Sequence, residues 1–566
     1  MFCKNCGAEL AEGSKFCASC GTAAEIPAQP IAEPVEEAMQ TPAEPIETPA
    51  ADAASAPEAP KADPLKAIKE KAAPLLEKVK PFLQKNKLLL AGAGAIVLFI
   101  IAIAIIIGLC SGGNGFIAYE NAIIANVQED EVIVLWNNKV IKTGIEASVL
   151  EEQATNLDGT VFAGLTDEGT LFVVRNKKVH VVEEDVVSFT LSASGKALAY
   201  VCENDDDEYS LNLYTISKKK SVVVDNEYNV LVGAFLGTAL SPDGKNLAYY
   251  RYDDEEDISE LMLFTGKKSI KITSNETELI GLSNGGKYIY VKGENDDGDE
   301  NLYTYNKKGE RTKINACSGS TFYFNDDHTQ ILFNNDGKSY ISVKGKEASK
   351  ISSGTARLLL SSNSSSCSDG RSTTYPVEDL YKHVYTVYND GEYNLWNIKK
   401  NSDKSAKLAS DITSATLDAE AEYVYYVNDK DDLCVLKISH GDKASDKAKT
   451  IAEDVDTYVV TSDRKKVYFI SDDGLYSCNG KNGKSKKTIA SEDVTAHLAI
   501  NAKDVVYYQL DGDLYACSNG KKGSKVLSDS NGFLAYPNGV VYAADEDCMY
   551  VTTGAKKLKK LLDLEN

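Results

Sequence analysis

Residues 88–110 limit what this chain can fold into more than any other stretch. They read LLLAGAGAIVLFIIAIAIIIGLC, an apolar run with no charge and no proline. A run of this kind crosses a bilayer core of about 30 Å as a single helix. The sequence therefore predicts a transmembrane helix over 88–110, which divides the chain into a short N-terminal part and a large C-terminal part over 115–566.

Two Cys-x-x-Cys pairs within residues 1–21 predict a metal site formed by Cys3, Cys6, Cys17 and Cys20. Two such pairs can place four thiolates around one Zn²⁺ ion, and a segment this short needs the metal to fold. Because all four ligands are cysteines, no position is open for substrate, and the predicted role of the zinc is structural. Two disulfides or a redox pair are the alternative. The stretch resembles the short N-terminal zinc ribbons of many bacterial membrane proteins.

Two segments separate this predicted zinc ribbon from the apolar run. Residues 22–62 consist almost entirely of Ala, Pro, Glu, Asp, Thr and Ser, a composition typical of a disordered linker. Residues 63–87 have apolar residues at helical spacing with lysines between them, interrupted by Pro74 and Pro81. A basic amphipathic segment beside a span is expected to lie on an anionic membrane surface, and a short charged spacer is the alternative.

The charges around the apolar run predict the orientation of the chain. Lysines precede the run at positions 78, 80, 85 and 87, whereas residues 111–119 carry no charge. Positive charge stays in the cytoplasm, so the N-terminus is predicted to be cytoplasmic and residues 115–566 extracellular. A thiolate zinc site agrees with this, since thiolates persist in a reducing compartment. A cytoplasmic C-terminal part is the alternative.

Composition restricts the class of the C-terminal part. The net charge of −23 argues against a nucleic-acid partner, and 31 Tyr with many Val, Ile and Thr in short runs favour a mainly β fold. This part contains seven cysteines, an odd number that does not suggest a disulfide framework. Two of them, Cys478 and Cys517, occupy matching places in neighbouring repeats and are interpreted as small strand residues. The seven are Cys202, Cys317, Cys367, Cys434, Cys478, Cys517 and Cys548.

A repeated hairpin pattern predicts the architecture of residues 115–566. The best copy, LSPDGKNLAYYRYDDEEDISELMLF, begins at Leu240, and similar copies begin at Leu191 and Leu282. Roughly ten such hairpins follow one another at about 35 to 50 residues, the length of one four-stranded propeller blade.

The segment Ser241–Tyr249 resembles the WD-like repeat of TolB-type β-propellers. The later, Tyr-rich copies are similar to propeller-like repeats of Gram-positive surface proteins. The resemblance implies a β-propeller fold and no particular activity. One large ring or two tandem rings are both possible, with a seam expected in the serine-rich stretch Ser361–Ser372. Strands within 116–136 are expected to complete the last blade and seal the ring.

The charges of the loops alternate along the repeats. The tip inside each hairpin is acidic, and the loop after the returning strand is rich in lysine. Because successive turns of an antiparallel sheet lie at opposite ends of the strands, the pattern predicts one acidic and one basic face. The basic face would suit an anionic wall polymer or lipid, and the acidic face would suit cations or a basic partner.

Motifs that suggest chemistry are weak in this sequence. Residues 281–285 fit the G-x-S-x-G esterase pattern, but they occupy the turn of a repeat, and no strand–helix alternation follows. Residues 295–300 resemble a calcium loop but have Glu at the sixth position, where Gly is required. Trp136 and Trp396 are interpreted as core residues. The sequence predicts no catalytic residue and no metal site beyond the zinc ribbon.

These observations predict a single-pass membrane protein with a cytoplasmic zinc ribbon and an extracellular β-propeller. Its predicted role is binding or scaffolding at the cell surface, with an unidentified protein or wall polymer as ligand. The hypothesis includes the relay of an external signal to the partner of the ribbon inside the cell. The alternative is an extracellular enzyme that processes a glycan or a peptide at the ring axis. That alternative requires charged or His residues converging at the axis, where the repeats suggest aliphatic and Tyr strands.

Overall fold

The computed structural model describes residues 117–563 with several gaps. The gaps are 119–122, 129, 137–138, 204–207, 230–236, 254–257, 275–277, 361–365, 369–371, 399–405, 419, 439–447, 537–538 and 553–556. The predicted zinc ribbon (1–21), linker (22–62), juxtamembrane segment (63–87) and transmembrane helix (88–110) lie outside the described residues. Within the described ranges, no helix is long and apolar enough to cross a membrane.

The described chain folds into eleven sheets, each built on four antiparallel strands. The sheets are here called blades 1–11, and the four strands of each blade are named A to D in chain order. Blade 1 contains β1 (Ile117–Ala118), β2 (Ile123–Gln128), β3 (Glu131–Trp136) and β4 (Lys139–Glu146). Blade 2 contains β5 (Leu150–Thr155), β6 (Val161–Thr166), β7 (Leu171–Arg175) and β8 (Lys178–Glu183). Blade 3 contains β9 (Val186–Leu191), β10 (Ala197–Glu203), β11 (Tyr209–Thr215) and β12 (Lys220–Asp225). Blade 4 contains β13 (Ala239–Leu240), β14 (Leu247–Asp253), β15 (Ile258–Phe264) and β16 (Ser269–Thr273).

The middle blades include two short 3₁₀ helices and one insertion. Blade 5 contains β17 (Glu278–Leu282), β18 (Ile289–Glu294), β19 (Glu300–Tyr305) and β20 (Arg311–Ala316), with a 3₁₀ turn at Asn284–Gly286. Blade 6 contains β21 (Phe322–Phe324), β22 (Gln330–Asn335), β23 (Lys338–Val343) and β24 (Ser349–Ser352). Blade 7 contains β25 (Thr355–Leu358), β28 (Val384–Asn389), β29 (Glu392–Asn397) and β30 (Ala406–Ala409). Its insertion contains β26 (Cys367–Ser368), β27 (Ser372–Thr374) and a 3₁₀ turn at Leu380–Lys382.

The last four blades have four consecutive strands each. Blade 8 contains β31 (Ile412–Leu417), β32 (Tyr423–Asn428), β33 (Leu433–Lys437) and β34 (Lys449–Ala452). Blade 9 contains β35 (Thr457–Val460), β36 (Lys466–Ser471), β37 (Gly474–Asn479) and β38 (Lys487–Ala490). Blade 10 contains β39 (Ala499–Ile500), β40 (Val506–Leu510), β41 (Asp513–Cys517) and β42 (Ser524–Leu527). Blade 11 contains β43 (Gly532–Ala535), β44 (Val541–Ala544), β45 (Cys548–Thr552) and β46 (Lys559–Asp563).

Burial within a blade follows the order of its strands. In blade 2, every residue of strand B (β6, VFAGLT) is buried, whereas strand D (β8, KVHVVE) alternates between exposed and half-buried residues. Strand B of a blade packs against a neighbouring blade on each of its two faces. It therefore needs a continuous run of apolar residues, and not an alternation of apolar and polar residues. The D strand lies at the outer rim and contacts water. This difference explains why the hairpin strands B and C are the clearest part of each sequence repeat.

The blades close into one ring. A cluster of buried apolar residues lies between each pair of consecutive blades, and another joins blade 11 to blade 1 through Leu135, Tyr542 and Val551. The Gln128 side-chain amide also donates a hydrogen bond to the Asp563 carbonyl oxygen at 2.9 Å. The ring is thus an eleven-bladed β-propeller, and the alternative of two tandem rings is wrong. Ten such clusters lie between consecutive blades of the described chain.

Two predictions about closure are corrected by this arrangement. Residues 123–136 do not complete the last blade, because β2 and β3 pair with each other and belong to blade 1. The ring therefore closes by side-chain packing and not by strand exchange. The predicted seam at Ser361–Ser372 is not a break either, since one apolar cluster joins blades 6 and 7 through residues such as Leu332 and Tyr385.

The turn between strands A and B owes its shape to one buried polar side chain. In blade 4 the Ser241 hydroxyl accepts a hydrogen bond from the backbone N–H of Asn246 at 3.0 Å, and Ser241 is fully buried. The side chain supplies a hydrogen-bond acceptor to a buried backbone N–H group that has no backbone acceptor in the turn. The same position in other blades is occupied by Asn156, Ser192, Ser283, Asn325, Asp418, Thr461 and Asn501.

The abundant tyrosines link neighbouring blades. The Tyr425 hydroxyl of blade 8 donates a hydrogen bond to the Gly480 carbonyl oxygen of blade 9 at 3.0 Å. One blade further, the Tyr468 hydroxyl accepts a hydrogen bond from the Gly520 backbone N–H of blade 10 at 2.8 Å. Tyr fills apolar space with its ring and satisfies a backbone group with its hydroxyl. The tyrosine content therefore reflects blade-to-blade packing.

Gly309 lies in the C–D turn of blade 5, where this turn packs closely against blade 4. Gly309 and Gly337 both have positive φ angles, of 78° and 66°. A Cβ at position 309 would overlap the Ile272 carbonyl oxygen of blade 4, whereas a Cβ at 337 would meet no atom within 4 Å. Both Gly→Ala variants incur about 1–2 kcal/mol of backbone strain. We expect Gly309→Ala to lose a further ~1–3 kcal/mol from overpacking.

Urea unfolding of the two variants, followed by intrinsic fluorescence, measures this difference. Gly337→Ala serves as the matched control, because it shares the φ angle but not the clash. Equal losses of unfolding free energy in the two variants would show that blades 4 and 5 are not in close contact at this turn.

Candidate functional site: the axial cavity

The insertion of blade 7 adds two strands to the inner edge of blade 6. Strand β27 pairs in parallel with β21, the A strand of blade 6, through Phe322↔Ser372 and Phe324↔Thr374. Strand β26 pairs with β27 on its other side, so that the sheet order is β24-β23-β22-β21-β27-β26. The A strand of a propeller blade lines the central channel. The insertion therefore projects into the channel of this ring.

A cavity of about 380 Å³ lies between the insertion and the A strands of blades 2, 3 and 4. This volume is within the range of small-molecule binding sites. The described lining residues are Glu151, Glu152, Gln153, Ala154, Thr155, Phe189, Thr190, Leu191, Ala193, Leu240, Pro242, His328, Cys367, Ser368 and Thr374.

Glu152 is a lining carboxylate whose titration is altered by its surroundings. Its side chain is half-buried and accepts a hydrogen bond from the Phe189 backbone N–H at 3.1 Å, which joins the A strands of blades 2 and 3. Burial raises the pKa of Glu152 to about 7, the Phe189 hydrogen bond opposes this rise, and the neighbouring Glu151 charge adds to it. Near neutral pH, Glu152 is thus partly protonated.

His328 lies in the A–B turn of blade 6 and is 5% exposed. Its Nε2 lies 2.7 Å from the Thr374 hydroxyl of the insertion, and its ring stacks on Phe324 with centroids 4.3 Å apart. Burial lowers the pKa of His328 to about 3, so the ring is neutral at physiological pH. His328 therefore fixes the insertion against blade 6 and adds no positive charge to the cavity.

The lining of the cavity combines carboxylate and hydroxyl groups. Glu151 and Glu152 come from β5, and Ser368 and Thr374 come from the insertion.

The sequence did not single out these residues. It suggested aliphatic and Tyr strands at the axis, whereas β5 brings Glu151 and Glu152 there. Acidic residues are so common in this chain that the sequence does not distinguish Glu151 and Glu152 from the others. His328 has no second histidine near it in the sequence that would suggest a site. The sequence LEEQAT of β5 could have indicated this site, because it contains two glutamates and the other A strands contain fewer charged residues.

The motifs that suggested chemistry have ordinary structural roles. Ser283 is fully buried, and its hydroxyl accepts a hydrogen bond from the Tyr288 N–H at 2.9 Å, so it stabilises an A–B turn. The Asn295 side-chain oxygen accepts hydrogen bonds from the Asp297 and Asp299 N–H groups at an exposed hairpin tip. Trp136 is buried in the core between blades 1 and 2. Among the described residues, no group of three or more His, Cys, Asp or Glu is arranged to hold a metal.

The seven cysteines of the propeller are thiols and not disulfides. Cys478 and Cys517 are buried in equivalent C strands, paired with Val467 and Val506, as predicted from the repeats. Burial raises the pKa of Cys478 to about 11, and a thiol in that state is a poor nucleophile.

Charge is distributed unequally between the two ends of the blades. The B–C turns and the D–A links, here called the acidic face, carry exposed carboxylates at Asp296, Asp297, Asp429, Asp472, Asp473, Asp511, Asp185, Glu453, Asp454, Glu492, Asp493 and Asp529. The A–B and C–D turns, here called the lysine face, carry exposed lysines at Lys218, Lys219, Lys267, Lys268, Lys307, Lys308, Lys481, Lys484, Lys521 and Lys522.

The lysine face also carries carboxylates, which the sequence analysis did not place there. Asp243 and Asp463 lie in A–B turns, where each accepts a hydrogen bond from the hydroxyl that begins its turn, at 2.8 Å from Ser241 and 2.9 Å from Thr461. Both carboxylates are engaged locally. Exposed carboxylates also lie on this face at Asp158, Glu310, Glu347 and Glu420, but the ten exposed lysines named above outnumber them. The acidic face gains charge from the D–A links.

Comparison with known families identifies the N-terminal segment. Residues 2–23 match the zinc-ribbon domain family. The match includes Cys3, Cys6, Cys17 and Cys20, the predicted ligands, and the ligand set fits Zn²⁺ because all four donors are thiolates at Cys-x-x-Cys spacing. No curated protein matches the chain.

Solved structures resemble the propeller at low sequence identity. A eukaryotic initiation factor is 10% identical with a TM-score of 0.34, over 71% of this chain and 96% of that chain. TolB from Acinetobacter baumannii is 12% identical with a TM-score of 0.27, over 44% and 67%. The tricorn protease is 11% identical with a TM-score of 0.26, over 73% and 58%. The chain thus combines an N-terminal zinc ribbon with an eleven-bladed β-propeller.

Proposed function

We propose that this chain is a single-pass membrane protein whose propeller acts outside the cell as a binding or scaffolding module. The zinc ribbon lies in the cytoplasm in this proposal and relays the state of the propeller to a partner there. The apolar run 88–110 and the lysines before it support the anchoring and the orientation. A closed propeller is a rigid scaffold for binding surfaces, although propellers serve many functions.

The separation of charge between the two faces is the observation that carries the binding role. Exposed lysines on the C–D loops form a repeated cationic surface, whereas the acidic face would repel an anionic polymer. We therefore assign the lysine face to an anionic wall polymer or to an acidic protein surface. Contacts of this type weaken with ionic strength, because salt screens exposed charges beyond about 8–10 Å.

Retention on purified cell walls tests this assignment. The variant carries Lys307→Gln, Lys308→Gln, Lys521→Gln and Lys522→Gln, four exposed positions in two C–D loops. We expect several-fold weaker retention at low salt and a smaller difference at physiological salt. The matched control carries Asp296→Asn, Asp297→Asn, Asp472→Asn and Asp511→Asn on the acidic face. Unchanged retention of the lysine variant at low salt would reject the assignment.

The orientation has its own experiment. A cysteine introduced by Asn114→Cys lies just beyond the predicted span, and an impermeant thiol reagent should label it in intact cells. The unsubstituted chain corrects for labelling of the other cysteines. Labelling that appears only after lysis would place the propeller in the cytoplasm.

The alternative, an enzyme that acts at the axis, finds no suitable general base in His328. A general base works best when its pKa lies near the working pH. His328 has a pKa of about 3, and its Nε2 is already engaged by Thr374. The cavity therefore supports binding better than proton transfer through this histidine.

A further inference from the structure

We propose that the axial cavity binds a small organic cation with a primary ammonium group. The cavity has a volume of about 380 Å³, and its lining from β5 includes Glu151 and Glu152. An ammonium group has three donors and no acceptor, which complements a wall of acceptors. This inference deepens the proposed binding function by naming a class of ligand.

The charges around the cavity favour a cation over an anion. None of its fifteen described lining residues is Lys or Arg. His328, the one imidazole in the lining, is neutral because burial keeps its pKa at about 3. An anionic ligand would therefore meet carboxylates without a compensating positive charge, which is costly in a partly buried site.

The apolar part of the lining limits the ligand to a small molecule with a hydrocarbon portion. Phe189, Leu191, Leu240 and Pro242 form the wall from blades 3 and 4, opposite the polar strands of the insertion. A bare inorganic cation would leave this surface unused, and the described residues contain no metal-binding group of three or more ligands. An alkylammonium ion uses both the carboxylates and the apolar wall.

The insertion defines the fourth side of the cavity. Cys367, Ser368 and Thr374 line it, and Thr374 is held by His328 at 2.7 Å. In this proposal, the insertion supplies one side of the binding site.

Titration of Glu152 makes the binding pH-dependent. The ionisable groups that line the cavity with it are Glu151 on the same strand, His328 in blade 6 and Cys367 in the insertion, whereas the described lining residues of blades 3 and 4 are not ionisable. A cation binds the ionised carboxylate, so affinity rises as pH increases through about 7, the pKa of Glu152. Between pH 6 and pH 8 the ionised fraction of such a group increases about tenfold.

Isothermal titration calorimetry of the full chain in detergent tests the proposal with putrescine and its neutral isostere 1,4-butanediol. We expect putrescine to bind, about tenfold more tightly at pH 8 than at pH 6, with release of protons, and butanediol not to bind. Glu152→Gln should weaken putrescine at least tenfold at pH 8 and remove most of the pH dependence. The variant keeps an acceptor for the Phe189 N–H, so the fold should persist.

Glu347→Gln is the control, because Glu347 is an exposed residue in the C–D loop of blade 6 and does not line the cavity. It should bind putrescine like the unsubstituted chain. Equal affinity for the diamine and the diol, equal affinity of the two Glu→Gln variants, or no binding of putrescine would each overturn the proposal. None of these results affects the wall-retention experiment, which concerns the lysine face.

Discussion

Replacement of Asp418 by alanine is expected to destabilise the propeller by about 2–3 kcal/mol, because several donors lose the acceptor that this buried carboxylate supplies. Asp418 is fully buried and bonds to two kinds of group. Its Oδ1 accepts hydrogen bonds from the N–H groups of Glu422 and Tyr423 at 2.7 and 2.8 Å. Its Oδ2 lies 2.8 Å from Nη1 of Arg464, which belongs to the A–B turn of blade 9.

The substitution therefore removes two hydrogen bonds that stabilise the A–B turn of blade 8 and the ion pair between blades 8 and 9. Arg464 keeps Glu422 at 2.9 Å and its position over the Tyr423 ring, but it loses the buried partner. The two backbone N–H groups, which are partly buried, lose their acceptor. Urea unfolding of the full chain measures the loss.

Two further variants separate these contributions. Asp418→Asn keeps an acceptor for the turn, and Asn is the native residue at the same turn position in blades 2, 6 and 10, so we expect a loss of only about 1 kcal/mol. Lys465→Ala removes an exposed ion pair with Asp463 and should change stability by less than ~1 kcal/mol. If Asp418→Ala were no more harmful than Lys465→Ala, the buried pair would not join the two blades.

Replacement of Leu135 by alanine is expected to destabilise the ring by about 2–5 kcal/mol and also to open it. Leu135 is fully buried on β3 and packs in the cluster that joins blade 1 to blade 11. The chain passes directly from one blade to the next at the ten other interfaces but not at this one. Blades joined by a short linker remain at high effective concentration, whereas blades 1 and 11 depend on their contact surface.

Leu263→Ala is the matched comparison. Leu263 is also fully buried, lies on the third strand of blade 4 and packs against blade 5. Both variants should lower the free energy of unfolding, but only Leu135→Ala should increase the radius of gyration in small-angle scattering before global unfolding. Equal behaviour of the two variants would mean that the closing interface is no more vulnerable than the others.

The hairpin repeats made the fold class predictable. Strands B and C are buried on both faces, so each needs an apolar run, and the turn at Ser241 needs a polar residue at its start. Both requirements are local and recur along the chain, for example in the repeats that begin at Leu191 and Leu282. The weaker A and D strands leave less of a pattern, because some A strands contain only two residues and the D strands face water.

The number of blades and the way they close were not predictable in the same manner. Nothing in residues 123–136 distinguishes strands that complete the last blade from strands that form a blade of their own. The answer depends on whether β3 pairs with β2 or with the end of the chain. The serine-rich stretch looked like a seam because its composition is loop-like, although its strands β26 and β27 join the sheet of blade 6.

The sequence by itself determined the repeated blade, the reversal of charge between successive loops and the four-cysteine zinc ribbon, because each depends on residues close together in the chain. Only the tertiary structure decided that eleven blades form one ring and that Glu152, His328 and Cys367 line one cavity. Those outcomes depend on contacts between residues up to hundreds of positions apart. They are fixed by the geometry of ring closure and not by any local pattern.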